Sequence, residues 1–105
     1  KTISPYDLSI MPLFDKEGMG EFAKELFDKL VSLRGVQIDM DSSGSIGKRY
    51  ARADEIGIPW AVTIDHTTLQ DGTVTIRRRD DQIQVRVSSD DLYRHMSNST
   101  IESLF

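Results

Sequence analysis

The sequence predicts an α/β domain whose mixed five-stranded sheet follows the order β-α-β-α-β-β-β-α. Three observations carry this. Residues 17–34 and 46–56 have helical patterning, and each lies between strand-like runs. Residues 59–65 (Pro-Trp-Ala-Val-Thr-Ile-Asp) form an apolar run that suits a strand buried on both faces. Residues 73–87 carry two alternating segments around Asp80-Asp81, the pattern of an antiparallel hairpin. Two β-α-β units imply parallel pairing with right-handed crossovers. About three helices then flank the sheet.

The elements follow in order. Residues 5–14 alternate in part, with Leu8, Ile10 and Pro12 against Ser9, Met11 and Leu13, and read as a first strand. Pro12 sits near its end, where a missing ladder donor costs least. From Glu17 to Arg34, Met19, Phe22, Ala23, Leu26, Phe27, Leu30 and Val31 recur at three- and four-residue spacing, which defines an amphipathic helix. Glu25 and Lys29 form an i,i+4 pair in the favourable order, and Gly35 supplies the stop. Val36 to Asp41 is a short strand with Val36, Ile38 and Met40 on one face. A loop over 42–45 leads into a helix from Ile46 to Ile56, closed by Gly57. Asp71-Gly72 marks a tight turn after the buried strand. Thr73–Arg79 and Gln82–Val87 make the hairpin, and Asp90–Met96 a last short helix capped near Ser88 or Ser89.

At 105 residues, with 38% hydrophobic and 29% charged side chains, the chain reads as one soluble globular domain over 1–105. There is no cysteine, so disulfides and thiolate zinc sites are excluded. No apolar stretch approaches the roughly 20 residues of a membrane span. The chain begins Lys1-Thr2-Ile3, without Met or a signal-like segment, and reads as a piece of a longer protein. The net charge of −4 argues against a general polyanion binder. The charge is uneven: residues 1–42 carry −3, residues 43–88 carry +1 with most of the arginines, and residues 89–105 carry −2. Contact with nucleic acid is therefore expected to be local.

Two groups of residues stand out. The first is the loop Ser42-Ser43-Gly44-Ser45 with Lys48, Arg49 and Arg52 at the positive end of the following helix, which suits phosphate contact. Gly44 and Gly47 enclose only two residues and Arg49 follows Lys48, so the Walker pattern is not met. The GXXG loop of KH domains joins two helices, whereas this one follows a strand. Asp39 to Gly44 copies the start of a calcium loop, but its twelfth position is Tyr50 rather than Glu. Asp41, Ser42 or Ser43 instead fits a helix cap. The second group lies on the hairpin. Strand alternation sets Thr75, Arg77, Arg79, Gln84 and Arg86 on one polar face, suited to donating hydrogen bonds to single-stranded bases. Trp60 falls in the apolar strand and reads as core. His66 and His95 read as loop or surface residues, and no catalytic grouping is present.

The run Asp41-Ser-Ser-Gly-Ser-Ile-Gly-Lys-Arg-Tyr-Ala-Arg-Ala-Asp-Glu-Ile-Gly-Ile-Pro59 resembles the C-terminal anticodon-binding domain of glycyl-tRNA synthetases of the archaeal and eukaryotic type. The similarity continues through Val62-Thr-Ile-Asp65, Asp71-Gly-Thr-Val-Thr-Ile-Arg77, Arg79-Asp80 and Gln84-Val-Arg86. It implies recognition of the glycine anticodon, with cytosines at its second and third positions. It assigns anticodon contacts to Ser43 and Ser45 before the second helix, to Thr68 after the buried strand, and to Arg77 in the next strand. Arg79 and Arg86 join them on the sheet face. Arg77 is expected to read one cytosine: arginine donates to cytosine O2 and N3 but does not accept from N4, so an acceptor is required beside it, from Asp65, Asp80, a Ser hydroxyl or a backbone carbonyl. The resemblance further implies a cytoplasmic, homodimeric parent that ligates glycine to tRNA. ATP and magnesium act in its catalytic domain, and no cofactor or metal binds here. The competing expectation is an interaction module, as in the synthetase-like accessory subunit of mitochondrial DNA polymerase. A stand-alone nucleotide-binding domain is disfavoured by the loop spacing.

Overall fold

The computed structural model describes residues 4–14 and 16–105. Its strands are β1 (Leu8–Pro12), β2 (Ile38–Met40), β3 (Trp60–Ile64), β4 (Thr73–Arg78) and β5 (Gln84–Ser88). They form one sheet in the order β2-β1-β3-β4-β5. β1 pairs in parallel with β2 and β3, whereas β3-β4 and β4-β5 are antiparallel. The helices are α1 (Met19–Val31), α2 (Ile46–Ile56), α3 (His66–Asp71) and α4 (Ser89–Ser97), followed by a 3₁₀ turn over Ile101–Leu104.

Both central strands are buried along their whole length. One sheet face carries Leu8, Ile10, Trp60, Val62, Ile64, Val74 and Ile76. It is covered by Met19, Ala23, Leu26 and Leu30 of α1 and by Leu92 and Met96 of α4. Trp60 belongs to this core and lies against Phe105, with ring centroids 5.3 Å apart. The other face is smaller and packs Met11 and Ala61 against Ala53 and Ile58, with Tyr50 and Ile46 at the margin. α2 covers the centre of this face, and the β4-β5 part beyond it stays polar. Register brings Thr75 opposite Arg86 and Arg77 opposite Gln84, so the expected polar face forms.

Local signals explain most boundaries. Ser45 caps α2 by accepting from the Lys48 amide at 3.3 Å, and Gly57 ends it at φ 91°, a conformation costly for any residue with a Cβ. Ser88 caps α4 by accepting from the Asp91 amide at 3.0 Å. Three readings shift. α1 ends at Val31, ahead of Gly35. Its i,i+4 ion pair is Lys24–Asp28, because Lys29 reaches Asp90 of α4 instead. The stretch after β3 holds a fourth helix: Asp65 and Thr68 close a reciprocal capping box around α3, and Gly72 is its left-handed terminus. Six residues of helix leave too short a period to read from sequence, but the Asp-x-x-Thr box was its trace.

Candidate nucleic-acid interface

All three parallel strands point their carboxyl ends at one edge of the sheet, where helix-strand sheets place their ligand sites. β1 runs out into Leu13 and Phe14, β2 into the 41–45 loop, and β3 into Asp65 and His66. β4 begins and β5 ends at the same edge, which brings in Thr73 and Arg86.

Two buried arrangements build this edge. Arg49 is only 3% exposed. Its Nη1 donates to the Pro12 carbonyl at 2.6 Å and the Asp41 carbonyl at 3.3 Å, and its Nη2 to the Leu13 carbonyl at 3.2 Å. One guanidinium thus ties the end of β1 to the loop after β2. Its Nε–H has no partner among the described residues and is the remaining cost of burying the group. Arg52 acts on the same loop from outside. It grips both oxygens of Asp41, at 2.9 and 3.0 Å, and the Ser43 carbonyl at 2.5 Å, while Asp41 accepts from the Ser43 amide at 3.0 Å. Gly44 completes the turn at φ 79°. The side chains of Ser43 and Lys48 remain exposed, and Lys48 makes no ion pair among the described residues. Ser45 is exposed too, although its hydroxyl caps the helix.

The expected contacts therefore separate. Ser43 and Ser45 lie on one exposed loop, and Lys48 stands beside it in the first turn of α2. Arg52 is half-exposed and holds that loop in shape. Arg49 is withdrawn from phosphate contact because all its bonded donors serve main-chain carbonyls. Thr68 is withdrawn as well: it is 1% exposed and spends its hydroxyl on Asp65. Its exposed neighbour His66 takes the surface position and lies 6.2 Å from the ring of Phe14, which is 48% exposed. Phe14 was hidden in the sequence by its place at the end of an apolar run. The signal that marks it is an aromatic residue followed at once by Asp15-Lys16.

The arginines on the sheet face also divide. Arg77 is 8% exposed. Its Nη1 and Nη2 meet the two oxygens of Asp54 in α2 at 3.0 and 3.2 Å, and its guanidinium lies 4.8 Å from the centre of the Tyr50 ring. Tyr50 Oη in turn shares a 2.8 Å hydrogen bond with Thr63. Arg79 follows the far end of β4 and pairs with Asp80, away from the edge that carries the loop. Arg78, on the opposite face, secures the chain terminus through Asp81, Glu102 and the Phe105 ring. Arg86 is the one that lies toward the loop-bearing edge. It forms a two-point ion pair with Asp65 and donates to Thr73 Oγ1 at 3.0 Å. Partial burial pushes the Asp65 carboxyl upward, but hydrogen bonds from Arg86 and the Thr68 amide outweigh it and hold the group below its ordinary value. Among the described residues, no group of three or more His, Cys, Asp or Glu side chains is arranged to hold a metal ion. No helix among them is long and apolar enough to cross a membrane.

Comparison with known proteins adds the deciding observation: residues 7–98 match the family model described as the anticodon binding domain. The chain belongs to this family. It is 50% identical over 90 residues to the glycine–tRNA ligase of Methanothermobacter thermautotrophicus, a match covering 86% of this chain and 16% of that protein. A glycine–tRNA ligase of Borrelia hermsii is 42% identical over 94 residues, covering 90% of this chain and 21% of that protein. Among solved structures, the RNA binding domain of threonyl-tRNA synthetase from Cryptosporidium parvum Iowa II superposes with a TM-score of 0.78 at 26% identity, over 90% of this chain and 24% of that one. The anticodon binding domain described here thus spans about one-sixth to one-fifth of the length of these curated relatives.

Proposed function

We propose that this chain binds the anticodon loop of a glycine tRNA, as the tRNA-recognition domain of a glycine–tRNA ligase. The observation that carries the reading is the composition of one sheet edge. The exposed Ser43–Ser45 loop with Lys48 in the first turn of α2 offers hydroxyls and a cation, the Phe14–His66 pair offers aromatic surface, and the Arg86–Asp65 pair offers both donors and an acceptor. Single-stranded RNA loops are recognised by this combination: stacking holds unpaired bases, and polar groups read their edges. An acidic body with one local cationic loop favours selective contact over broad phosphate attraction. The similarity to glycine–tRNA ligases supports glycine as the identity of the tRNA. On this reading 1–105 is a single domain of a longer chain. ATP and magnesium act in the parent's catalytic domain, and the parent is a cytoplasmic homodimer. Ser43, Ser45 and Lys48 contact the RNA at one end of the edge and Arg86 at the other. Arg77 and Arg79 support the face between α2 and the hairpin turn.

The test is binding of a glycine anticodon stem-loop, compared with its stem closed by an unrelated tetraloop, at two salt concentrations. A preference for the anticodon loop that persists at the higher salt supports the reading. Equal binding that fades with salt reduces it to phosphate attraction and sinks it.

A further inference from the structure

The Arg86–Asp65 pair leaves particular groups unoccupied. Asp65 Oδ1 already accepts from the Thr68 amide and hydroxyl, both at 3.1 Å, and from Arg86 Nη1 at 3.3 Å. Among the described residues, Oδ2 accepts only from Arg86 Nη2 and keeps a free acceptor site. On the guanidinium, Nη1 is used by Asp65 and Thr73. Among the described residues, Nη2 spends one hydrogen on Asp65 and Nε spends none. Because the carboxylate is met end-on through Nη1 and Nη2, the unused Nη2 and Nε hydrogens form a fork on one side. The open groups therefore run in the order acceptor, donor, donor: Oδ2, Nη2, Nε.

We infer that Asp65 and Arg86 together form a reader for the Watson–Crick edge of a cytosine in a single-stranded RNA loop. The inference rests on the anticodon-binding reading above. Cytosine presents donor, acceptor, acceptor in N4–H, N3 and O2, the complement of the open groups at every position. Uracil presents acceptor, donor, acceptor and clashes at the first two. Guanine presents acceptor, donor, donor and clashes at all three. Adenine matches at two positions and offers nothing at the third. The order of preference is cytosine, then adenine, then uracil and guanine. Glycine codons begin with two guanines, so every glycine anticodon contains two cytosines for such a reader to meet.

Two features suit the pair to this role. Its side chains are 35% and 22% exposed, open enough for a base edge yet shielded enough for hydrogen bonds to discriminate. Asp65 is also fixed by the α3 capping box, so its carboxylate does not have to be ordered when the base arrives. Phe14 and His66 stand beside it on the same edge, since the Leu13 amide donates to the Ile64 carbonyl at 2.8 Å. They offer a stacking surface for the base being read.

The experiment measures affinity for anticodon stem-loops in which one cytosine at a time is replaced by uracil, adenine or the 4-deamino analogue that lacks only N4. The proteins are the unaltered chain, Asp65→Asn and Arg86→Lys. Asparagine still caps α3, but its oxygen is drawn to the Thr68 amide, so its NH₂ takes the place of Oδ2. Arg86→Lys leaves Asp65 and the cap intact while removing the fork. For the unaltered chain, replacing the read cytosine by uracil is expected to weaken binding roughly tenfold or more. Removing only N4 is expected to weaken it several-fold. In Asp65→Asn the N4 penalty disappears and the cytosine-to-uracil ratio falls toward one. In Arg86→Lys the ratio falls while the N4 penalty survives in part. Unchanged discrimination in both variants overturns the reader and leaves anticodon binding standing. Failure of the unaltered chain to bind any stem-loop overturns the underlying reading, and the reader with it.

Discussion

Two arginine–aspartate pairs occupy neighbouring rows of the same sheet face. Arg77–Asp54 lies under α2, with the arginine side chain 9% exposed. Arg86–Asp65 lies at the rim, with its arginine 35% exposed. The chemistry is the same in both, and the surroundings separate their roles. Under the helix, both Nη groups of Arg77 are committed to Asp54 and the cation rests on the Tyr50 ring, so the pair fastens α2 to β4. At the rim, Oδ2 of Asp65 has a single donor and Nε of Arg86 has no partner among the described residues. A covered pair of this kind contributes to cohesion, and the proposed reader is the pair whose positions stay open.

That contrast is broken most sharply at Asp54. Asp54→Ala leaves the Arg77 guanidinium buried without its carboxylate, and unpaired buried charges carry large penalties. Because Asp54 is about a third exposed, the expected loss is about 2–4 kcal/mol rather than the full buried-pair value. It is read as a lower urea midpoint at unchanged m, with the cytosine preference retained in the folded fraction. At the rim the balance reverses. Arg86→Ala is expected to cost less than about 1 kcal/mol of stability, as exposed ion pairs do, while cytosine preference is lost. A stability loss matching that of Asp54→Ala would erase the distinction between the pairs. Phe14→Ala sharpens it: stability stays near that of the unaltered chain, and stem-loop affinity falls by about 1–3 kcal/mol if one base stacks there. Lys48→Ala is expected to lower the salt slope of binding by about 0.7, the value of one single-strand phosphate contact, with base preference unchanged.

The smallest effect concerns acid. Asp65 titrates below its ordinary value of 3.8 in the folded chain, so the unfolded chain takes up its proton first as pH falls. The stabilisation is complete above that value and is lost as pH falls through the depressed one. Stability should therefore decline from about pH 4 downward, and Asp65→Asn should shallow that decline in urea titrations between pH 5 and 2.

Much of the framework was legible because its signals are local. The α2 boundaries at Ile46 and Ile56 followed from the small-residue loop and Gly57, although the cap is Ser45 rather than Asp41, Ser42 or Ser43, and the hairpin face followed from simple alternation. What alternation does not carry is the distance from a strand to the helix lying over it. Arg77 and Arg86 look alike in sequence, and only the path of α2 decides which one is covered. Arg49 was read as a phosphate ligand because helix N-termini attract anions, yet its position in α2 points it inward to three carbonyls. Thr68 was placed correctly in the segment after β3, but the capping box turned it inward and left the surface to His66.

The strand order also bears on how the domain folds. β3, β4 and β5 are joined by short connections and pair antiparallel, so their contacts close short loops, which favours early formation. β1 joins β3 only after α1, β2 and α2 have been threaded between them. Mutations at Ile76 or Val85 should then slow refolding, whereas mutations at Leu8 or Met11 should mainly speed unfolding. The edge proposed to meet RNA lies across the seam between these halves. An early intermediate would hold Arg86 and Asp65 but lack the 41–45 loop and Phe14, so tight RNA binding would report completion of the last kinetic step.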